Sequence, residues 1–138
     1  PGSWRRRWWG GLGLMKDCKT FESIYNKQLN FQRKVKELAP YEFSVGSLPE
    51  DNIRGCSFHI QQLMSEIGEV LSADKRWKNF RNGKYDKYNK KEEIADCFIV
   101  LMNIAIFSGL SAEELENTII NKMDENAKRL LSLDKWFN

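Results

Sequence analysis

The sequence predicts an all-α fold, a four-helix bundle in one domain, and three observations predict it. Alternation of apolar and polar residues at the strand period is nowhere sustained. Only three prolines punctuate the 138 residues. Four segments instead repeat their apolar residues at steps of three, four and seven, the spacing of a helix that buries one face.

The first helix is expected over about residues 20–38, where Phe21, Ile24, Phe31, Val35 and Leu38 share a stripe. Ala39-Pro40 ends it, because the residue before a proline is driven out of the helical region. Residues 40–55, with Gly46, Ser47, Pro49 and Gly55, read as a linker. The second helix is expected over about 57–74, with Ile60, Leu63, Met64, Ile67, Val70 and Leu71 as its apolar positions. A polar, basic loop follows over 78–89, marked by Asn82-Gly83. The third helix covers about 90–108, and Gly109 stands where a left-handed C-terminal cap is expected. Ser111-x-x-Glu114 spells a capping box for the fourth helix, which ends near residue 133 and carries Leu115, Ile119, Met123, Ala127 and Leu130 as its stripe.

Composition excludes several function classes. Three cysteines (Cys18, Cys56, Cys97) with no Cys-x-x-Cys spacing rule out a disulfide framework or a cysteine zinc site, and read as reduced, mostly buried side chains of a cytoplasmic protein. A single histidine rules out a histidine-rich metal site. The 17-residue apolar run over 94–110 contains Asp96 and Asn103, so it reads as a core helix rather than a membrane span, and no secretory signal is evident. The net charge of +3 belongs to residues 1–14, which hold Arg5, Arg6 and Arg7 with Trp4, Trp8 and Trp9 and no acid. That segment reads as a tail ahead of a natural start at Met15, and residues 15–138 as the domain, formally neutral at 19 basic against 19 acidic side chains. A neutral domain argues against nucleic acid or a membrane surface as partner.

Chemistry is carried by two short motifs. Glu66-x-x-Glu69 lies on the second helix and Glu93-x-x-Asp96 on the third. A three-residue step keeps each pair on one face, one turn apart. Both pairs border apolar stripes, and antiparallel packing of the two helices lets all four carboxylates converge. Like charges that close together raise one another's pKa unless a cation compensates. A hard divalent ion with oxygen ligands fits, Mg²⁺ first and Mn²⁺ as a substitute. By contrast, Glu113, Glu114 and Glu116 read as ordinary acids at a helix N-terminus. Residues 75–91 hold eight basic side chains against Asp86 alone, and read either as a loop that closes over phosphates or as a soluble loop.

In this order and spacing the motifs resemble the MazG-type all-α nucleoside triphosphate pyrophosphohydrolases, a superfamily that includes the dimeric dUTPases and the dCTP pyrophosphatases. The resemblance covers about residues 21–131. Residues 62–70 resemble the first metal helix, residues 92–96 with the apolar run after them the second, and Lys122-x-x-x-Asn126-x-x-Arg129 a third segment. It implies a MazG-like four-helix bundle completed by oligomerisation, as a homodimer or homotetramer. It also implies hydrolysis of a nucleoside triphosphate to monophosphate and pyrophosphate, in nucleotide-pool housekeeping. Glu66, Glu69, Glu93 and Asp96 would be the Mg²⁺ ligands, and Glu66 the base that takes a proton from the attacking water. Lys122, Asn126 and Arg129 would clamp the triphosphate. Trp77 and Lys78 resemble a Trp-Lys pair of dUTPase-like members and would meet the base. Asn103, two turns after Asp96 on the same face, reads either as a group on a base edge or as a satisfied core amide, and Gln28 and Phe31 as candidate pocket wall. His59 reads as packing or hydrogen-bonding locally. Dimeric dUTPases commonly place a histidine near the position of Ile99, and this chain has none there, so uracil selectivity is not implied. From a different class, the alternative is a catalytically idle helical oligomer that binds nucleotide or protein.

Overall fold

The computed structural model describes residues 19–38, 52–78 and 85–137. The tail at 1–14, Cys18, most of the linker and the Asn82-Gly83 turn lie outside the described residues. The described residues form four helices packed together: α1 (Phe21–Leu38), α2 (Ile53–Ala73), α3 (Lys87–Phe107) and α4 (Ala112–Phe137), with a 3-10 turn at Lys75–Trp77 between α2 and α3. Among them the one strand-type contact is an isolated bridge between Asp74 and Tyr85, and no single helix is long and apolar enough to cross a membrane.

Short polar side chains set the helix starts. Thr20 and Ser23 exchange side-chain hydrogen bonds with each other's backbone N–H, both at 3.1 Å, and open α1. α2 begins at Ile53, earlier than its apolar spacing suggests, because Asn52 Oδ1 accepts from the Gly55 N–H at 2.8 Å. That cap outweighs the low helix propensity of Gly55. α3 likewise begins early, at Lys87, where Asp86 accepts from the Asn89 N–H at 3.1 Å. The expected capping box forms: Ser111 Oγ accepts from the Glu114 N–H at 3.1 Å, and the Ser111 N–H donates to Glu114 Oε2 at 2.9 Å. Gly109 ends α3 at φ 76°, with its N–H on the Ile106 carbonyl and the Leu110 N–H on the Ala105 carbonyl. Gly109→Ala is expected to cost about 1 kcal/mol, read as a lower urea midpoint with an unchanged slope.

α2 and α3 form an antiparallel hairpin tied at both ends. The Asn52 N–H donates to the Phe107 carbonyl at 2.8 Å at one end, and Asp74 meets Tyr85 at the other. α1 runs antiparallel to α3: Tyr25 donates its hydroxyl to the Leu110 carbonyl at 2.6 Å, and Gln28 Nε2 donates to Asn103 Oδ1 at 2.8 Å. Burial, with Glu114 second, pushes the Tyr25 phenol up to about 12, which keeps that donor protonated. Tyr25, Ala105, Ile106, Phe107 and Ala112 form the core where α1, α3 and the start of α4 meet.

The expected apolar stripes are buried only in part. Ile24 and Leu38 on α1, Ile60, Met64, Ile67 and Leu71 on α2, and Ile119, Met123 and Leu130 on α4 are exposed, as are Ile94, Phe98 and Leu101 in the apolar run of α3. The reason is α4, which packs on α1 near its own N-terminus and leaves every side chain over 116–133 exposed. Cys56 and Cys97 are free and half-buried rather than buried.

Candidate functional site

Antiparallel pairing of α2 with α3 brings the two acidic motifs face to face. Glu66, Glu93 and Asp96 each offer a carboxylate oxygen, and the three oxygens lie within 4.8 Å of one another. Glu66 and Glu93 are half-buried, and Asp96 is exposed. Among the described residues no Lys or Arg pairs with them; the ion pairs involve Glu37, Asp74 and Glu125. The carboxyl of Glu93 is pushed up from its ordinary value by burial first and then by repulsion from Asp96, Glu69, Glu66 and Glu92. Glu69, one turn beyond Glu66, is exposed and outside the triad, although its charge reaches Glu93. Burial followed by Glu66, Asp96 and Glu93 raises the Cys97 thiol, so the neighbouring sulfur stays protonated. Three clustered oxygens, no paired cation and a protonated sulfur suit a hard divalent cation.

Glu66 and Asp96 also line a cavity of about 450 Å³ between α1, α2 and α3. Its other walls combine aromatic rings (Phe31, Phe58, Phe107) with buried polar side chains. Gln28, Gln32, His59 and Asn103 are only 8, 7, 6 and 4% exposed. The bond from Gln28 Nε2 to Asn103 Oδ1 holds two of these amides together. No buried side-chain nitrogen or oxygen among the described residues lacks a partner. Glu66 and Asp96 thus share one recess with the Gln28–Asn103 amide pair, His59 and three aromatic rings.

The structure sorts the expected site residues. Glu66, Asp96, Asn103, Gln28 and Phe31 line one cavity, with Ile99 beside them, and Glu93 joins the carboxylates. Gln32 and Gln62 were not anticipated; Gln32 could have been found as a second amide one turn after Gln28, on the face that carries Phe31 and Val35. His59 bonds locally as expected, with Nδ1 3.2 Å from Gln62 Oε1, but its ring also lines the cavity. Trp77 lies elsewhere. It lines a second cavity of about 320 Å³ with Ile67, Val70, Leu71, Asp74 and Lys90, and its indole N–H donates to the Leu71 carbonyl at 3.3 Å. Lys78 sits 5.2 Å over the Trp77 ring. Lys122, Asn126 and Arg129 are exposed on α4 and line neither cavity, and Lys122 pairs with Glu125 at 2.9 Å.

Part of the basic segment is structural. Arg76 and Lys90 each reach the Asp74 carboxylate at 2.8 Å, and Arg76 lies 3.6 Å over the Tyr85 ring. Arg76 first and Lys90 second hold Asp74 well below the usual carboxylate range. This clasp joins the end of α2 to the start of α3. No protein-family model, curated protein or solved structure matches the chain, so the family resemblance stands on the sequence motifs alone.

Proposed function

We propose that the protein is a Mg²⁺-dependent nucleoside triphosphate pyrophosphohydrolase with a MazG-type helix arrangement. The observation that supports this best is the juxtaposition of the Glu66, Glu93 and Asp96 oxygens with a 450 Å³ cavity walled by amides and aromatic rings. Glu66, Glu93 and Asp96 would hold the ion, and Glu69, whose charge reaches Glu93, would add to the field that attracts it. Mg²⁺ there would neutralise triphosphate oxygens and acidify a water. Glu66 belongs to both the carboxylate cluster and the cavity wall, and it takes the proton as water attacks the α-phosphorus. The bond from the α-phosphorus to the bridging oxygen breaks, and pyrophosphate leaves. Phe31 and Phe58 flank the base and exclude water, and the Gln28–Asn103 pair orients its edge.

A second copy of the chain completes the assembly in this reading. The exposed apolar residues of α2, α3 and α4 supply the surface, as a homodimer or homotetramer. Lys122, Asn126 and Arg129, exposed on α4 and lining neither cavity of their own chain, would meet another copy's triphosphate, Lys122 by exchanging its pair with Glu125.

The test is a panel of nucleoside triphosphates incubated with the protein and Mg²⁺ and analysed for monophosphate and pyrophosphate. Release of orthophosphate alone, or no turnover of any nucleotide, overturns the proposal. The carboxylates also give a linkage prediction. The folded pKa of Glu93 is raised above its ordinary 4.5. Its contribution to stability is therefore full below the unfolded value and is lost as pH rises through the folded value. Mg²⁺ binds the ionised cluster and restores what is lost. Melting temperature without Mg²⁺ is expected to fall across that interval, and the gain on adding Mg²⁺ to grow across the same interval. A gain independent of pH counts against binding at these carboxylates.

A further inference from the structure

The polar wall of the cavity holds more hydrogen-bonding capacity than the protein uses. Gln28 and Asn103 spend one group each on their mutual bond, which leaves Gln28 Oε1 as an acceptor and Asn103 Nδ2 as a donor. His59 is fixed differently. Its Nδ1 lies 3.2 Å from Gln62 Oε1, and because that oxygen only accepts, Nδ1 carries the proton. The ring is wedged between Phe58, edge-on at 5.1 Å, and Phe107 at 4.8 Å, and it is 6% exposed. Nε2 is left as an acceptor with no partner in the protein. No unpartnered side-chain nitrogen or oxygen among the described residues is sealed off, so Nε2 is accessible, on a ring that lines the cavity. The wall thus presents two fixed acceptors, Gln28 Oε1 and His59 Nε2, from two different helices.

Two acceptors call for two N–H groups. A uracil or thymine joined to its sugar through N1 has a single ring N–H. If Gln28 takes it, His59 faces a carbonyl, acceptor against acceptor. An exocyclic amino group carries two N–H bonds and meets both. We infer that His59, held as the Nδ1–H tautomer by Gln62, is a specificity-determining residue that selects a base with an exocyclic amino group over a uracil-type base without one. This rests on the nucleotide reading of the site above. Burial lowers the imidazole pKa, against the opposing Gln62 bond, so the acceptor form persists through neutral pH. The titratable groups facing the same cavity are Glu66 from the same helix and Asp96 from α3; α1 contributes Gln28, Phe31, Gln32 and Val35, none of which titrates.

The chain has one histidine, so its imidazole resonances need no assignment by mutation. The experiment uses the full chain in Mg²⁺ buffer near neutral pH, with dCMP and dUMP as probes in calorimetry and ¹⁵N NMR of the imidazole. Expected are the Nδ1–H tautomer in the free protein and dCMP affinity about ten- to a hundredfold above that of dUMP, the span for a buried group left unpaired. The Nε2 resonance should shift with dCMP, and His59→Gln should bring the two affinities within about threefold, since a Gln amide both donates and accepts. An Nε2–H tautomer, equal binding by the natural chain, or the same preference in His59→Gln overturns the inference. Equal binding leaves the nucleotide reading standing, and binding of neither nucleotide overturns the inference, while the triphosphate panel above decides the nucleotide reading.

Discussion

Glu66→Gln is expected to lower pyrophosphate release by at least about a hundredfold, the usual range for loss of a positioned general base. The glutamine keeps the side chain's size and cannot take the proton. Glu93→Gln is expected to be equally inactive for a different reason, a weakened hold on Mg²⁺, which more Mg²⁺ restores in part. Glu93→Gln also carries a signature that simple damage would not produce. The ionised form of Glu93 is disfavoured by burial and by Asp96, Glu69 and Glu66. Neutralising it relieves that repulsion, so Glu93→Gln should melt higher than the natural chain in the absence of Mg²⁺ while losing activity. Circular dichroism should show unchanged helicity, since the side chain is half-buried and bonds to no backbone cap. A variant with full turnover, or one that melts lower without Mg²⁺, would contradict the assignment.

Ile67→Glu is expected to turn an oligomer into a monomer. Ile60, Met64, Ile67 and Leu71 recur at steps of four, three and four, and all are exposed on α2. That spacing draws one continuous seam along the helix. Burying each half-exposed side chain is worth on the order of 1 kcal/mol. A carboxylate placed mid-seam costs several kcal/mol when desolvated. Light scattering at micromolar protein should report a dimer or tetramer for the natural chain and a monomer for the variant. A monomeric natural chain would leave the seam without the partner proposed for it. A loss of turnover in the monomer would add that the partner copy completes the site, and Lys122 and Arg129 are the side chains to examine first.

Much of the fold was legible in the sequence because local rules and the global fold agree. Gly109 adopts the left-handed cap that its place after an apolar run suggests, and Ser111 and Glu114 close the capping box that they spell. The starts of α2 and α3 were less legible. Asn52 and Asp86 cap helices whose first turns carry no apolar stripe, so periodicity alone places the starts several residues late. Within the site, two acidic pairs at helical spacing were legible because the α-helix puts positions three apart on one face. Which acids cluster was not: Glu66, Glu93 and Asp96 come together while Glu69 stays exposed, and this depends on the relative rotation of α2 and α3.

The sequence by itself determined the helices, their order and the acidic pairs, because each is set by contacts within a few residues. Only the tertiary structure decided what those helices enclose. It placed Gln32 and His59 on the cavity wall with Asn103, moved Trp77 to a separate recess, and left the side chains over 116–133 of α4 exposed. The physical reason is that an apolar stripe specifies that a face will be covered and not what covers it. A buried stripe and an oligomer seam share one spacing, and packing alone tells them apart.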